Sequence, residues 1–387
     1  MVFIAKTLLG LEAVLAEEIR VIGGSNVEIL KRAVSFEGDM PLLYRCNLEL
    51  RTALSILRPL FSFHAKHENH FYKKIKAYDW ESLMSLRDTF AIRATVHSEF
   101  FNHSMFMALK MKDGIADYFY NKYDKRPDVK KSNPTFPLQL HINGSQCTVL
   151  LDSSGEALYK RGYRIQTVEA PMNEILAAGL IKLSGWDMET TLVDPMCGGG
   201  TIAIEAAMMS RNVPPNLKRD SWPFMQWKEY VEQEYLEVRK SAEERILLTA
   251  NVQIFSYDKD MSAVRKADLN SKEIPQLNGA IEFGRKSFFK LKKPTESGLL
   301  LFNPPYDERM EVTEVEAFYQ AIGDQMKQEF TNYQAWIITS NLKALKKLGL
   351  RAGKKHHLYN GKLECKFINY DLYSGSKKLK HQQIEET

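Results

Sequence analysis

No stretch of this 387-residue chain approaches the ~20 consecutive apolar residues that cross a bilayer, which excludes a helical membrane protein. Cysteine is scarce: Cys46, Cys147, Cys197 and Cys365 lie at least 50 residues apart, with no CxxC pair. That spacing excludes a disulfide framework and a zinc knuckle, and it fits a reducing, cytoplasmic setting. The first residues lack a basic stretch followed by an apolar core, so no signal peptide is expected. No glycine loop ends in Gly-Lys-Ser/Thr, so a P-loop is excluded. His64, His67 and His70 repeat every three residues on an expected loop but lack further acid or cysteine partners at ligand spacing, and no metal site is expected.

What is present is ordinary in bulk and uneven in placement. Apolar residues at 44% and charged residues at 26% describe a globular protein, and the length suggests two or three domains. The net charge is +5. Residues 1–165 carry 23 basic against 18 acidic side chains, and residues 166–387 carry 30 of each. The whole excess therefore belongs to the first part, which is compatible with a nucleic-acid-facing module or with chance.

Hydrophobic periodicity divides the chain further. Residues 1–60 read as β-α-β-β-α-β, the order of a ferredoxin-like unit, with a first helix predicted over 8–19. Residues 65–165 form a second α+β stretch, with strands at 90–97, 138–142 and 147–151 and a helix over 105–120. Lys130 and Lys131 lie in a basic loop there. Lys160, Arg161 and Arg164 follow, beside Tyr159 and Tyr163. Such groups can hold phosphates while rings stack on bases, although a solvated loop end explains them equally well. From about residue 171 short apolar strands alternate with helices, the pattern of a parallel α/β sheet, interrupted by an aromatic and charged insertion at 211–244. Packing is the expected role of its Trp222, Phe224 and Trp227.

Two motifs carry chemistry. In the first, Leu192-Val193-Asp194-Pro195-Met196-Cys197-Gly198-Gly199-Gly200-Thr201 ends a buried strand in an acid and passes through glycines into a helix. Glycine permits the tight turn and the close approach of a ligand at the junction where α/β folds bind nucleotide-type cofactors. Gly198-x-Gly200-x-x-Ala203 formally satisfies a dinucleotide fingerprint, but the acid expected about 20 residues on is displaced to Asp258. An acid ahead of the glycines suits a cofactor with an ammonium group, as S-adenosylmethionine has. In the second motif, a strand at 298–302 ends in Asn303-Pro304-Pro305-Tyr306. Its two prolines leave carbonyls that only accept. The Asn303 side-chain oxygen and the Pro304 carbonyl can accept from one planar –NH2 while Tyr306 lies against the ring, orienting the nitrogen toward an incoming methyl group. Cys197 has no base pattern for a nucleophilic role.

These residues resemble class I S-adenosylmethionine-dependent methyltransferases acting on amino groups, with Asp194-to-Thr201 like the family's motif I and Asn303-to-Tyr306 like its motif IV. Asp307-Glu308-Arg309-Met310 resembles the usual extension of the latter. Upstream, Asp152-x-Ser154-Gly155 through Lys160-Arg161-Gly162-Tyr163-Arg164 is similar to the end of a THUMP RNA-binding module. Lys112-Asp113-Gly114-Ile115 and Arg126-Pro127 match its helix and following turn. Ala170-Pro171-x-x-Glu174 resembles the segment leading into the catalytic domain. The order is that of bacterial large-subunit ribosomal RNA guanine-N2-methyltransferases, often labelled N6-adenine-specific DNA methylases.

The resemblance implies a Rossmann-like class I methyltransferase α/β domain at 169–387, preceded by α+β ferredoxin-like (1–63) and THUMP (64–168) modules. It implies cofactor contacts at Asp194, Pro195, Cys197, Gly198, Gly200 and Thr201, with Asp258 and Asp260 toward the ribose. Where the family places an acid toward the adenine amine, this sequence reads Gly284-Arg285-Lys286-Ser287, leaving Ser287 as acceptor. Asn303, Pro304, Pro305 and Tyr306 would hold the target amine. RNA, as 23S ribosomal RNA or a large-subunit assembly intermediate, is the expected partner, contacted by Lys130, Lys131, Lys160, Arg161 and Arg164. Transfer-RNA guanine methylation, DNA adenine methylation and a non-catalytic assembly factor remain alternatives.

Overall fold

The computed structural model describes residues 1–249, 252–305 and 312–373. They group into two units: residues 1–7, 15–158 and 216–241 in the first, and residues 8–14, 159–215 and from 242 onward in the second.

Unit 1 is built on strand alternation. In β1 (Val2–Lys6), Phe3 and Ala5 are buried while their neighbours are not, the period-2 pattern of a sheet covered on one face. The chain continues through α1 (Glu12–Val21), β2 (Ser25–Leu30), β3 (Ala33–Glu37), α2 (Met40–Glu49) and β4 (Ser55–His64). The predicted β-α-β-β-α-β order is present. Its first helix starts at Glu12 instead of residue 8 because Gly10 takes φ +92° and donates its N–H to the Glu12 carboxylate. Then follow α3 (Glu68–Ala77), β5 (Thr89–His97), α4 (Ser104–Tyr123), β6 (Asp128–Val129), β7 (Phe136–Asn143) and β8 (Gln146–Asp152). All eight strands form one sheet in the order β2-β3-β1-β4-β8-β7-β5-β6. The join is β4, paired antiparallel with β1 on one edge and β8 on the other. Its register shifts between Pro59 and Phe61, where proline brings no N–H to the ladder.

Residues 216–241 group with this unit, although the sequence places them inside 169–387. Trp222, Phe224, Trp227 and Tyr235 enter the same buried cluster as Tyr44 and Phe36. The Phe224 ring stands 5.0 Å from that of Tyr44, and Trp222 Nε1 donates to the Tyr235 hydroxyl at 3.0 Å. Conversely, residues 159–168 group with unit 2.

Unit 2 begins with α5 (Glu174–Ser184), capped by the Asn173 side chain and stopped by Gly185 at φ +71°. It continues with β9 (Leu192–Asp194) and α6 (Thr201–Ser210); α7 (Glu232–Glu244) belongs largely to unit 1. After it come β10 (Ile254–Asp258), α8 (Met261–Lys272), β11 (Ile281–Arg285), β12 (Gly298–Phe302), α9 (Val312–Glu329) and β13 (Tyr333–Thr339). The hairpin β14 (Lys355–Asn360) and β15 (Leu363–Asp371) closes the described chain. The sheet order is β11-β10-β9-β12-β13-β15-β14, parallel through β13 and antiparallel at the hairpin. His356 is half-buried in β14 and stacks on Trp336 at 5.8 Å. Strand order reverses between β9 and β12, and such a switch opens a crevice at the carboxyl ends of the strands. Among the described residues no helix is long and apolar enough to cross a membrane.

Candidate active site

Because β9 and β12 are parallel neighbours, with Val193 in register with Leu300, both motifs emerge at the same sheet edge. There they line one cavity of about 610 Å³, within the range of small-molecule and cofactor sites. Asp194, Pro195, Cys197, Gly198, Thr201, Asp258, Ser287, Asn303 and Pro305 all contribute to its wall.

Asp194 is 1% exposed. Its Oδ1 accepts only a long 3.4 Å bond from the Met196 N–H, the Cys197 N–H being committed to the Tyr257 carbonyl, and its Oδ2 is buried without a partner. Burial, with a smaller contribution from the Asp258 charge, holds its pKa well above the carboxylate range. A buried acceptor left open is costly, and a cationic hydrogen-bond donor would satisfy it.

In the glycine loop, a Cβ on Gly198 (φ +51°) would meet nothing within 4 Å, so this position leaves room for a ligand. Gly200 serves another purpose. At φ +78° it precedes α6, and a Cβ there would come within 2.7 Å of the Ala267 Cβ on α8. Gly200 does not line the cavity, and packing accounts for it. Burial pushes the Cys197 thiol up, away from any thiolate.

The Asp258 carboxylate accepts the N–H of Gly198 and of Asp260, each at 3.0 Å, tying β10 to the glycine loop. Asp260, expected to assist at the ribose, instead caps α8 by accepting the Ser262 N–H and stands outside the cavity wall. Ser287 is half-buried beside Phe288 and Phe289.

Asn303 presents the second unpartnered acceptor, its buried Oδ1. Pro304 is buried and not part of the wall, whereas Pro305 is exposed and lines it. Tyr306 and Asp307-Glu308-Arg309-Met310 lie outside the described residues.

Three of the aromatic and basic groups near residue 160 are not where an RNA contact needs them. Arg161 is 3% exposed and paired with the fully buried Glu205 on α6 at 3.5 Å. Tyr163, also buried, donates its hydroxyl to the same carboxylate. Arg164 donates to the Met172 carbonyl at 2.7 Å and to Thr201 Oγ1 at 3.1 Å, and it pairs with Glu174 at 3.0 Å. These side chains fasten the segment after residue 159 to unit 2. Lys160 is exposed in unit 2, and Lys130 and Lys131 are exposed in unit 1.

The sequence reading missed half the wall. Val168, Ala170, Pro171 and Met172 line the cavity from an irregular strap, and Phe288, Phe289 and Phe318 add aromatic surface. No spacing pattern marks them, since they reach the site from three separate stretches. Among the described residues no group of three or more His, Cys, Asp or Glu is placed to hold a metal.

A doubly wound sheet with an acid-glycine loop and an Asn-Pro-Pro turn at its switch point defines a class I methyltransferase fold. Comparison with known proteins agrees. The family model described as "RMKL-like, methyltransferase domain" matches residues 161–369, the RlmL ferredoxin-like domain matches 2–57 and the THUMP domain matches 65–152. The Ribosomal RNA large subunit methyltransferase K/L of Syntrophotalea carbinolica is 36% identical over 383 residues, 96% of this chain and 53% of that protein. The chain thus spans about half the length of that relative. A Synechocystis sp. protein named "Putative RNA methyltransferase slr0064" is 33% identical over 372 residues, covering 96% of this chain and 97% of its own. The crystal structure of SMU.472 complexed with SAH superimposes with a TM-score of 0.87 at 27% identity, covering 97% of this chain and 99% of that one. The chain belongs to the RMKL-like methyltransferase family, preceded by RlmL-type ferredoxin-like and THUMP domains.

Proposed function

We propose that the protein transfers a methyl group from S-adenosylmethionine to the exocyclic N2 of a guanine in large-subunit ribosomal RNA. The observation that carries this reading is the pair of unpartnered buried acceptors, Asp194 Oδ2 and Asn303 Oδ1, on residues that line one cavity. The cofactor, when bound, supplies an electrophilic methyl on a sulfonium. Asp194 accepts from its ammonium group, Asp258 from its ribose hydroxyls, and Gly198 leaves room beside them. Ser287 takes the place of the acid that the family sets toward the adenine amine. Asn303 accepts from the target –NH2 with the Pro304 carbonyl and so orients the nitrogen lone pair, and Tyr306 stacks on the base. No covalent enzyme intermediate is needed, consistent with burial pushing the Cys197 thiol up.

The THUMP match at 65–152 favours RNA over duplex DNA, with Lys130, Lys131 and Lys160 as the remaining candidates for phosphate contact. RNA rather than a membrane is the partner, and the cytoplasm the setting. The ribosomal substrate rests on the relatives' names; the domain order 1–63, 64–168 and 169–387 is proposed as the functional division, with 159–168 and 216–241 as elements that cross it.

The test offers labelled cofactor with 23S ribosomal RNA, transfer RNA or duplex DNA to the wild type and to Asn303→Ala. Labelling of N2-guanine in ribosomal RNA, lost about 1,000-fold in the variant while SAH affinity stays within about threefold, supports the reading. Full activity of Asn303→Ala sinks the clamp. Labelling of adenine in DNA sinks the substrate.

A further inference from the structure

The strap that forms one side of the cavity has no helix or strand of its own from residue 165 to 172. Such a segment keeps its shape only if something outside it satisfies its main chain. Along it, Ala170 takes φ +95°, a region that side-chain-bearing residues rarely adopt. That conformation costs about 1–3 kcal/mol and persists where the surroundings over-determine it.

The group that does so at the start of the strap is Asn270, on α8 and 1% exposed. Its Oδ1 accepts the Gln166 N–H at 2.9 Å, and its Nδ2 donates to the Gln166 carbonyl at 3.0 Å, so one amide side chain pairs with both main-chain groups of one residue as a neighbouring strand would. The second hydrogen on Nδ2 reaches the Gly199 carbonyl at 3.4 Å, inside the glycine loop. One turn earlier on α8, Lys266 Nζ donates to the Thr167 carbonyl at 2.9 Å. At the far end, Arg164 holds the Met172 carbonyl and Thr201 together. Val168, Ala170, Pro171 and Met172 hang between these anchors and line the same cavity as Gly198, Gly199 and Thr201, with the Val168 side chain against Gly199.

We propose that Asn270, which does not line the cavity, is a positioning residue that locks the strap and the glycine loop into one rigid cofactor wall. The inference rests on the proposed methyltransferase function only in naming the ligand. Asn270 acts by fixing two main-chain segments that lie far apart in sequence, at residues 166 and 199. Cutting this link lets the strap relax around Ala170 and widens the space between Val168 and the loop.

The full chain is titrated with SAH by calorimetry as wild type, Asn270→Ala and Lys266→Met, and hydrogen exchange is followed over residues 165–172. For Asn270→Ala the expected result is a Kd raised about 10- to 100-fold, the cost of a wall no longer organised before binding. Stoichiometry stays unchanged, strap exchange is faster, and KM for RNA is within about twofold of wild type. Lys266→Met, which removes one exposed hydrogen bond, raises the Kd about two- to fivefold. If Asn270→Ala does not fold, this second variant decides. A lowered stoichiometry or melting temperature with an unchanged Kd means that Asn270 only stabilises the fold, and it overturns the proposal. A wild type that binds no SAH refutes the methyltransferase reading instead. In that case strap exchange alone judges Asn270, and unchanged protection overturns the lock.

Discussion

Two aspartates end two strands in the two units, and they have opposite fates. Asp152 closes β8 in unit 1 and Asp194 closes β9 in unit 2; both are at most 2% exposed, and burial raises the pKa of both. After Asp152 come Ser153-Ser154-Gly155, whose N–H groups at Ser154 and Gly155 fold back onto Oδ1 at 2.9 and 3.0 Å while Gln139 donates to Oδ2 at 2.8 Å. Both carboxylate oxygens are bonded inside the fold. After Asp194 the Met196 N–H gives Oδ1 one long bond, the Cys197 N–H goes to the Tyr257 carbonyl instead, and Oδ2 is left with nothing. Burial and a raised pKa therefore do not make a site. The difference lies in whether the following turn consumes the acceptors or leaves one for a ligand.

That contrast can be broken at several points. The largest effect is expected where the chain crosses between units: Phe224→Ala should cost unit 1 about 3–5 kcal/mol, because the ring fills the cluster around Tyr44. Differential scanning calorimetry checks this, and unit 2 should still bind SAH with wild-type affinity if the segment belongs energetically to unit 1. Next, Asp194→Asn should weaken SAH binding by about 10- to 100-fold, the worth of one charge-assisted hydrogen bond, as calorimetry would show.

The same pair predicts a reversal in stability. Asp152→Ala should destabilise the apo protein by about 1–3 kcal/mol, since two turn N–H groups and the Gln139 amide lose their acceptor. SAH affinity should not move. Asp194→Asn should leave the apo protein as stable as wild type or more so.

The pH dependence has a definite sign. An acid whose pKa is raised in the folded state holds a proton that the unfolded chain releases. Apo stability therefore falls as pH rises from the ordinary aspartate range through the raised values of Asp194 and Asp152. Thermal melts between pH 4 and 8 should show a shallower fall in Asp194→Asn, with the Asp152 contribution remaining. An identical slope would mean that Asp194 is ionised throughout.

Two glycine turns separate packing from open space, the smaller effect falling at Gly144. Gly200→Ala combines φ +78° with a 2.7 Å approach to Ala267 and should cost about 2–3 kcal/mol. Gly144→Ala, at φ +57° in the β7-β8 turn with open space around it, should cost about 1 kcal/mol in urea melts.

Much of this molecule is local. The ferredoxin-like order, the alternating strands of unit 1 and the buried strands of unit 2 follow from hydrophobic period and turn residues, which neighbouring positions write directly into the chain. The chemistry of the two motifs is equally local: proline after Asp194 and proline after Asn303 remove donors whatever the fold does around them. Arg161, Arg164 and Tyr163 show where that legibility stops. Their composition suits a phosphate-binding loop, yet Glu205, Glu174 and Thr201 turn them inward, and a linear reading cannot see that these partners are adjacent.

The sequence by itself determined the modules, their order and the two acceptor-rich turns, because periodicity, glycine and proline act over a few residues. Tertiary structure alone decided that 216–241 completes the core of unit 1, that Gly200 serves packing while Gly198 leaves room, and that Asn270 ties residue 166 to residue 199. Those outcomes depend on which distant surfaces meet, and burial against a remote partner leaves no periodic trace along the chain.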